Sequence, residues 1–335
     1  MTSQEILSVV IDITPSWFGL NFVKAFGIQQ YLDCCLSFIN AYLTISSANE
    51  VSIYLVLGSQ TISAWPLSSK RIEHLKINIP SDGKIEAYSI MNEAVLKIAK
   101  KSLAEYKSNK LIANFSNSVI KSLCYYMRRR KETDPSFLSS AFTERKDSKS
   151  NEIIKSRILV IKSTPDCPTQ YLSLMNAIFT AQKLEIPIDC CVVLPMKSEN
   201  ESPALVSSNT MRGVAAKNQN QTFSRSSLFQ QASNLTGGIY LETPHPSALL
   251  QYLISVFLAN NSFRKNLVLP NNRACGIGVD FRSACFCHRQ LVDQAYLCSI
   301  CLTVLCEFSP ICITCHSQFK NPLSKNLVNS SSNEQ

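Results

Sequence analysis

Arg157–Leu194 reads RILVIKSTPDCPTQYLSLMNAIFTAQKLEIPIDCCVVL. Its first six residues, RILVIK, are a short apolar run rich in β-branched side chains, which fits a strand buried on both faces. Thr169–Leu184 then places Tyr171, Leu174, Met175, Ile178 and Phe179 at helical spacing, an amphipathic helix. Pro187–Leu194, PIDCCVVL, is a second buried strand. Parallel strands need such a crossover between them, so strand, helix, strand is the unit of a parallel sheet.

The same alternation extends outward. Glu5–Ile13, EILSVVIDI, is a short apolar run ending near an acidic residue. Gln29–Ser46 carries Leu32, Cys35, Leu36, Ile39 and Leu43 at helical spacing. Glu50–Leu57, EVSIYLVL, is a strand, and Gly58-Ser59 turns the chain into a third strand, Thr61–Trp65, which stops at Pro66. Lys84–Tyr106 and Asn117–Lys131 read as helices, the second closing on Arg128-Arg129-Arg130-Lys131, where cations suit the negative end of the dipole. Toward the end come a helix, Ser226–Leu235, a stop at Gly237-Gly238, a strand, Ile239–Leu241, and a buried helix, Pro246–Leu258. The pattern predicts an α/β fold with a mainly parallel sheet and helices on both faces.

The chain has 335 residues, 45% hydrophobic and 17% charged, with a formal net charge of +9. That length suits one large α/β core and a small satellite. The expected division is a domain over residues 1–265, a metal-stabilised module over 274–320 and a disordered tail over 321–335. Two polar stretches, about 133–150 and 197–225, are expected to be disordered surface insertions. The basic excess is mild and spread along the chain, so it points to no nucleic-acid site. Met1 is followed by Thr-Ser-Gln-Glu, with no signal-like start, and Ala248–Ala259 is too short to span a bilayer. A reducing compartment is therefore expected, where clustered cysteines mean metal more often than disulfides.

Seven cysteines fall between Cys285 and Cys315, in CFCHRQLVDQAYLCSICLTVLCEFSPICITC. Cys298/Cys301 and Cys312/Cys315 have the Cys-x-x-Cys spacing that lets two thiolates reach one ion at about 2.3 Å. Ten residues intervene between Cys301 and Cys312, and ten between Cys287 and Cys298. The dominance of thiolates points to structural zinc, one or two ions. Two partitions fit the spacing. One gathers Cys285, Cys287, Cys298 and Cys301 around a single ion. The other is cross-braced: Cys298/Cys301 join Cys312/Cys315, while Cys285, Cys287 or His288, and Cys306 form a second, degraded site. Cys275 has no partner at useful spacing. Cys34, Cys35, Cys124, Cys167, Cys190 and Cys191 lie in core-like elements and are expected to be buried.

Asp12-Ile13-Thr14-Pro15-Ser16 ends the first strand. Asp-x-Thr-x-Ser there resembles the first segment of the metal-ion-dependent adhesion site of von Willebrand A domains, whose oxygens suit Mg²⁺. Asp166 is the candidate for the later acidic ligand. The stretch that should supply a threonine reads Pro80-Ser81-Asp82-Gly83-Lys84 and has none, so the site is expected to be vestigial and Mg²⁺ is not expected. There is no P-loop and no Gly-x-Gly-x-x-Gly, and His74, His245 and His316 have no nucleophile or carboxylate partner in a motif.

RILVIK, QYLSLMNAIFTAQKLEIPIDCCVVL, LTGGIYLETPHPSALLQYLISVFL and DFRSACFCHRQLVDQAYLCSICLTVLCEFSPICITC together resemble the smaller von Willebrand A-domain, zinc-bearing subunit of general transcription factor IIH. The resemblance implies a von Willebrand A-like domain with a small C-terminal zinc module. It implies a nuclear, non-catalytic scaffold in RNA polymerase II transcription initiation and nucleotide excision repair. Partners would be a sister von Willebrand A-domain subunit and other core subunits, with no small-molecule substrate, no membrane and no direct DNA contact. The alternatives are a RING-like ubiquitin ligase and a zinc-dependent DNA-binding protein.

Overall fold

A computed structural model describes residues 5–15, 26–67, 84–106, 113–133, 154–167, 170–194, 227–264, 266, 281–288, 291–301 and 303–319. The two polar insertions expected near 133–150 and 197–225, the tail after 320, Cys275, Ser16, His74 and the Ser81–Gly83 stretch lie outside the described residues, Thr133 apart. The chain divides into two compact units, Met1–Val279 and Asp280–Gln335.

In the first unit the strands are β1 (Glu5–Asp12), β2 (Glu50–Leu57), β3 (Gln60–Trp65), β4 (Lys155–Lys162), β5 (Ile188–Val193) and β6 (Tyr240–Thr243). They form one sheet in the order β3-β2-β1-β4-β5-β6, parallel throughout except for β3, which runs antiparallel to β2 across the Gly58-Ser59 turn. The helices are α1 (Ile28–Ile45), α2 (Lys84–Glu105), α3 (Ser116–Thr133), α4 (Tyr171–Lys183) and α5 (Ser227–Thr236). This is the doubly wound, von Willebrand A-like architecture expected from the sequence.

β1 shows why the central strands are apolar along their whole length. Every residue of it is buried. Leu7, Val9 and Ile11 face a core shared with α1 and α2, whereas Ile6 and Val10 face a second core shared with α3, α4 and α5. Alternate residues serve opposite layers, so no position is left for a solvent-facing side chain. Ser8 is the polar exception, and its Oγ pairs with Ser52 Oγ on β2 at 2.8 Å.

Three expectations change on the structure. Phe179 is 47% exposed and Leu172 46% exposed, because the buried stripe of α4 is Leu174, Ala177, Ile178 and Ala181. Cys124 is exposed on α3 and Cys34 half-buried on α1, while Cys35, Cys167, Cys190 and Cys191 are buried. Cys124 lies one helical step past the buried Leu123, which turns it to the solvent side. The helix expected over Pro246–Leu258 has three geometries in succession: a 3₁₀ turn at Pro246–Ala248, α6 (Leu249–Tyr252), and a π turn at Leu253–Phe257. Leu249, Leu253 and Phe257 fill the core from it.

That last helical stretch is fastened by charge. Arg157, 1% exposed, donates from Nη1 to the carbonyls of Phe257 at 2.7 Å and Ala259 at 2.9 Å, capping the helix end. Its Nε lies 3.3 Å from Glu5 Oε1. Beside it the buried Asp189 accepts two bonds from Arg264, at 2.9 and 2.6 Å. The short α7 (Asn261–Arg264) thereby returns to the start of β5.

Candidate metal centre

Carboxyl ends of the strands are where doubly wound sheets bind ligands, in the crevice where the strand order reverses. Here that point lies between β1 and β4. Asp12 ends β1, fully buried, and its two oxygens are already engaged. Oδ1 accepts from Thr14 N at 3.1 Å and Thr14 Oγ1 at 2.8 Å. Oδ2 accepts from Ser163 N and Oγ at 3.1 and 3.2 Å, and from Thr164 N and Oγ1 at 2.9 and 2.7 Å. These bonds join the ends of β1 and β4 across the reversal.

Asp166 does not join Asp12 in a metal-ligating group among the described residues. It pairs with Lys162 and accepts from Leu228 N at 2.9 Å, at the start of α5. The Lys162 ammonium is buried between aromatic rings, 5.3 Å from the Phe115 centroid and 5.0 Å from that of Phe229. Lys162 went unnoticed in the sequence because a lysine closing an apolar strand reads as its solvated end. Nothing local announces the two rings, which come from α3's entry and from α5.

The second unit is two small hairpins and a loop. β7 (Ser283–Ala284) pairs with β8 (Leu291–Val292), and Cys285, Cys287 and His288 lie on the turn between them. β9 (Tyr296–Leu297) pairs with β10 (Val304–Leu305), and Cys298 and Cys301 lie on that turn, with Cys298 N bonded to Thr303 O at 3.0 Å. Cys306 follows β10. Phe286 N donates to Val304 O at 2.8 Å, which brings the first turn against β10 and so against Cys306. Cys312 and Cys315 share a last turn closed by Cys312 N to Ser317 O at 2.9 Å, with His316 in the left-handed region at φ 57°.

Among the described residues, the side chains that could ligate a metal fall into two groups, Cys285/Cys287/His288/Cys306 and Cys298/Cys301/Cys312/Cys315, with the candidate ligand atoms of each group within 4.8 Å of one another. The grouping is interleaved along the chain. It brings His288 together with Cys285 and Cys287, so the first group has four ligands rather than the degraded set anticipated. Cys285 and Cys287 do not gather with Cys298 and Cys301.

A tetrahedral thiolate site with metal–sulfur distances of about 2.3 Å has edges of about 3.8 Å. In the second group Cys298 Sγ and Cys315 Sγ are 3.7 Å apart, and Cys301 Sγ and Cys312 Sγ 3.5 Å. The first group is drawn tighter: Cys287 Sγ and His288 Nδ1 each lie 3.1 Å from Cys306 Sγ. Backbone N–H groups point at the sulfurs. The amide of Cys306, with further bonds, holds the Cys287 thiol down, and that of Cys301 holds Cys298 down, while their neighbours Cys306 and Cys301 are pushed up by the adjoining sulfurs, so without metal each pair favours one thiolate beside one thiol. The thiolate is the form that ligates, and Cys287 and Cys298 are the members that favour it. Around the second group, Thr303 Oγ1 is 2.9 Å from Cys301 Sγ, and Ser317 Oγ is 3.0 Å from Cys315 Sγ. Neither hydroxyl is marked by any spacing motif, since both reach their sulfurs only once the turns have formed.

The unit has almost no other interior. Its buried apolar residues, among those described, are Cys285, Cys298, Cys312 and Leu305, while Tyr296, Leu297, Ile300, Phe308, Ile311 and Ile313 are exposed. Three of those four buried residues belong to the candidate metal-ligating groups, so burial of other side chains alone leaves this fold without a core.

The family model for transcription factor Tfb4 matches residues 4–221 and 218–316. General transcription factor IIH subunit 3 of Dictyostelium discoideum is 32% identical over 90% of this chain and 72% of its own length. The general transcription and DNA repair factor IIH subunit tfb4 of Schizosaccharomyces pombe is 30% identical over 97% of this chain and 92% of its own. The crystal structure of the TFIIH p34 N-terminal domain superposes with a TM-score of 0.54 at 19% identity, covering 75% of this chain and 97% of that one, and shares the fold.

Proposed function

The chain belongs to the Tfb4 family, subunits of the general transcription and DNA repair factor IIH, and from that premise we propose a non-catalytic scaffold of that factor's core. It works in the nucleus, in transcription initiation and nucleotide excision repair, through contacts with a sister von Willebrand A-domain subunit and other core subunits. One observation supports the non-catalytic role above all. The crevice in which a doubly wound sheet would hold a ligand is filled by the chain's own bonds, Asp12 to Ser163 and Thr164.

The rest of the reading concerns the organisation of the chain. A von Willebrand A-like domain spans about residues 1–265, a zinc module 274–320 and a tail 321–335. Two zinc ions fit the two ligand groups: one on Cys285, Cys287, His288 and Cys306, the other on Cys298, Cys301, Cys312 and Cys315. Bound zinc here supplies structure, joining turns that have no other core between them.

Affinity purification of the tagged chain from its own cells, followed by mass spectrometry, tests the assignment. Recovery of the other factor IIH subunits is expected, and a clean preparation without them contradicts it. A ubiquitin-ligase reading has one observation in its favour, the interleaved ligands with Leu297 and Ile300 exposed beside Cys298. Chain formation with a panel of conjugating enzymes, abolished by Cys298→Ser, would establish that reading instead.

A further inference from the structure

The two ligand groups are built differently. In the first, three of the four ligands come from one stretch, Cys285–His288, on a single hairpin turn, and only Cys306 arrives from elsewhere. In the second, two separate turns contribute two cysteines each. The first set therefore ties its turn to the rest of the unit through one residue, Cys306, whereas the second joins two turns through two residues on each.

Exposure runs the same way. Cys287 and His288 are exposed and Cys306 half-buried, leaving Cys285 as the one buried ligand of the first group. Cys298 and Cys312 are both buried, and Cys301 and Cys315 half-buried. Amides reach sulfurs of both groups, and among the described residues the second has side-chain hydroxyls beside its sulfurs in addition. Thr303 and Ser317 place hydroxyls 2.9 and 3.0 Å from sulfurs of the second group, and Thr314 N lies 3.5 Å from Cys312 Sγ. Outer partners of this kind change metal affinity by about 10–100-fold. An incoming chelator or thiol reagent thus meets two ligands of the first site from solvent, while the second is shielded and braced.

Resting on the two-zinc reading above, we propose that the pair is graded: Cys285/Cys287/His288/Cys306 is an exchangeable zinc site and Cys298/Cys301/Cys312/Cys315 a permanent one. The first site trades its ion with external thiol or chelating ligands while the second keeps the module folded. The exposed imidazole of His288 is the entry point, because it is the one ligand without a thiolate's charge.

The test uses the full chain, its zinc content fixed by native mass spectrometry. Zinc release is followed with the chromogenic chelator 4-(2-pyridylazo)resorcinol, and cysteine alkylation is mapped by peptide mass spectrometry during release. The expected result is two phases of one equivalent each, the first at least about ten-fold faster. Cys285, Cys287 and Cys306 should be alkylated in the first phase. His288→Cys should slow that phase toward the second. Cys306→Ser should remove it and leave one slowly released equivalent. Both equivalents leaving in a single phase, or Cys298 and Cys312 reacting first, would overturn the gradation. A preparation with one zinc and only the first group alkylated is its extreme form and supports it. One with no zinc and both groups alkylated refutes the zinc reading itself, and the gradation with it.

Discussion

Asp12 is a carboxylate with no exposed surface and six donor contacts from three residues. Its Asp-x-Thr-x-Ser setting was visible in the sequence as a metal-site fragment. What it binds was not visible, because Ser163 and Thr164 stand more than 150 positions away and reach it only through the pairing of β1 with β4. Asp166, the candidate for the later acidic ligand, has its carboxylate held by Lys162, four residues before it, and by α5. Asp12→Ala leaves three amides and three hydroxyls without their acceptor. Since a bond to a charged group contributes about 1.5–3 kcal/mol, the expected loss is about 3 kcal/mol or more. Urea denaturation of the two proteins, followed at the sheet of the first unit, measures it, with millimolar Mg²⁺ leaving the wild-type midpoint in place. A midpoint raised by Mg²⁺ would mean that Asp12 ligates a cation after all.

Most elements could be read from periodicity, because each central strand feeds two cores and so carries no polar face. The pieces that escaped are those whose shape is set by a distant group. The 3₁₀-to-π run before Ala259 ends on the guanidinium of Arg157, from β4 and 100 positions before Phe257, and no local spacing predicts that. The end of α5 is the opposite case. Gly237 takes φ +72° and Gly238 N bonds to Ser233 O at 2.8 Å, the helix stop that the two glycines foretold. The two are not equivalent. A Cβ on Gly237 meets nothing within 4 Å, whereas one on Gly238 would stand 2.1 Å from Ile188 O, backbone of the neighbouring β5. Gly237→Ala should therefore cost about 1–2 kcal/mol, for the left-handed backbone alone. Gly238→Ala should cost clearly more, because β5 has to move. Thermal melts of both variants decide it, and equal losses would mean that the clash relaxes freely.

Across the molecule, the two units depend on different things. The first buries aliphatic and aromatic side chains on both faces of a six-stranded sheet, and the second buries little but its own ligands. Exhaustive chelation under reducing conditions should therefore abolish amide-exchange protection over residues 281–319 and leave β1, β4 and β5 protected. Hydrogen-exchange mass spectrometry reads both regions in one sample, and loss of protection in the sheet would show that its stability depends on the metal. Interleaving of the ligand groups has a consequence for how the chain is made. Cys306 completes the first set, and Cys315, nine residues later, completes the second. At about 5–20 residues per second of synthesis, the two completions fall about one second apart. If each set holds an ion, the growing chain has all four residues of the first set while Cys298 and Cys301 still lack Cys315. On the graded reading proposed above, the set completed first during synthesis is the one expected to release its ion more readily.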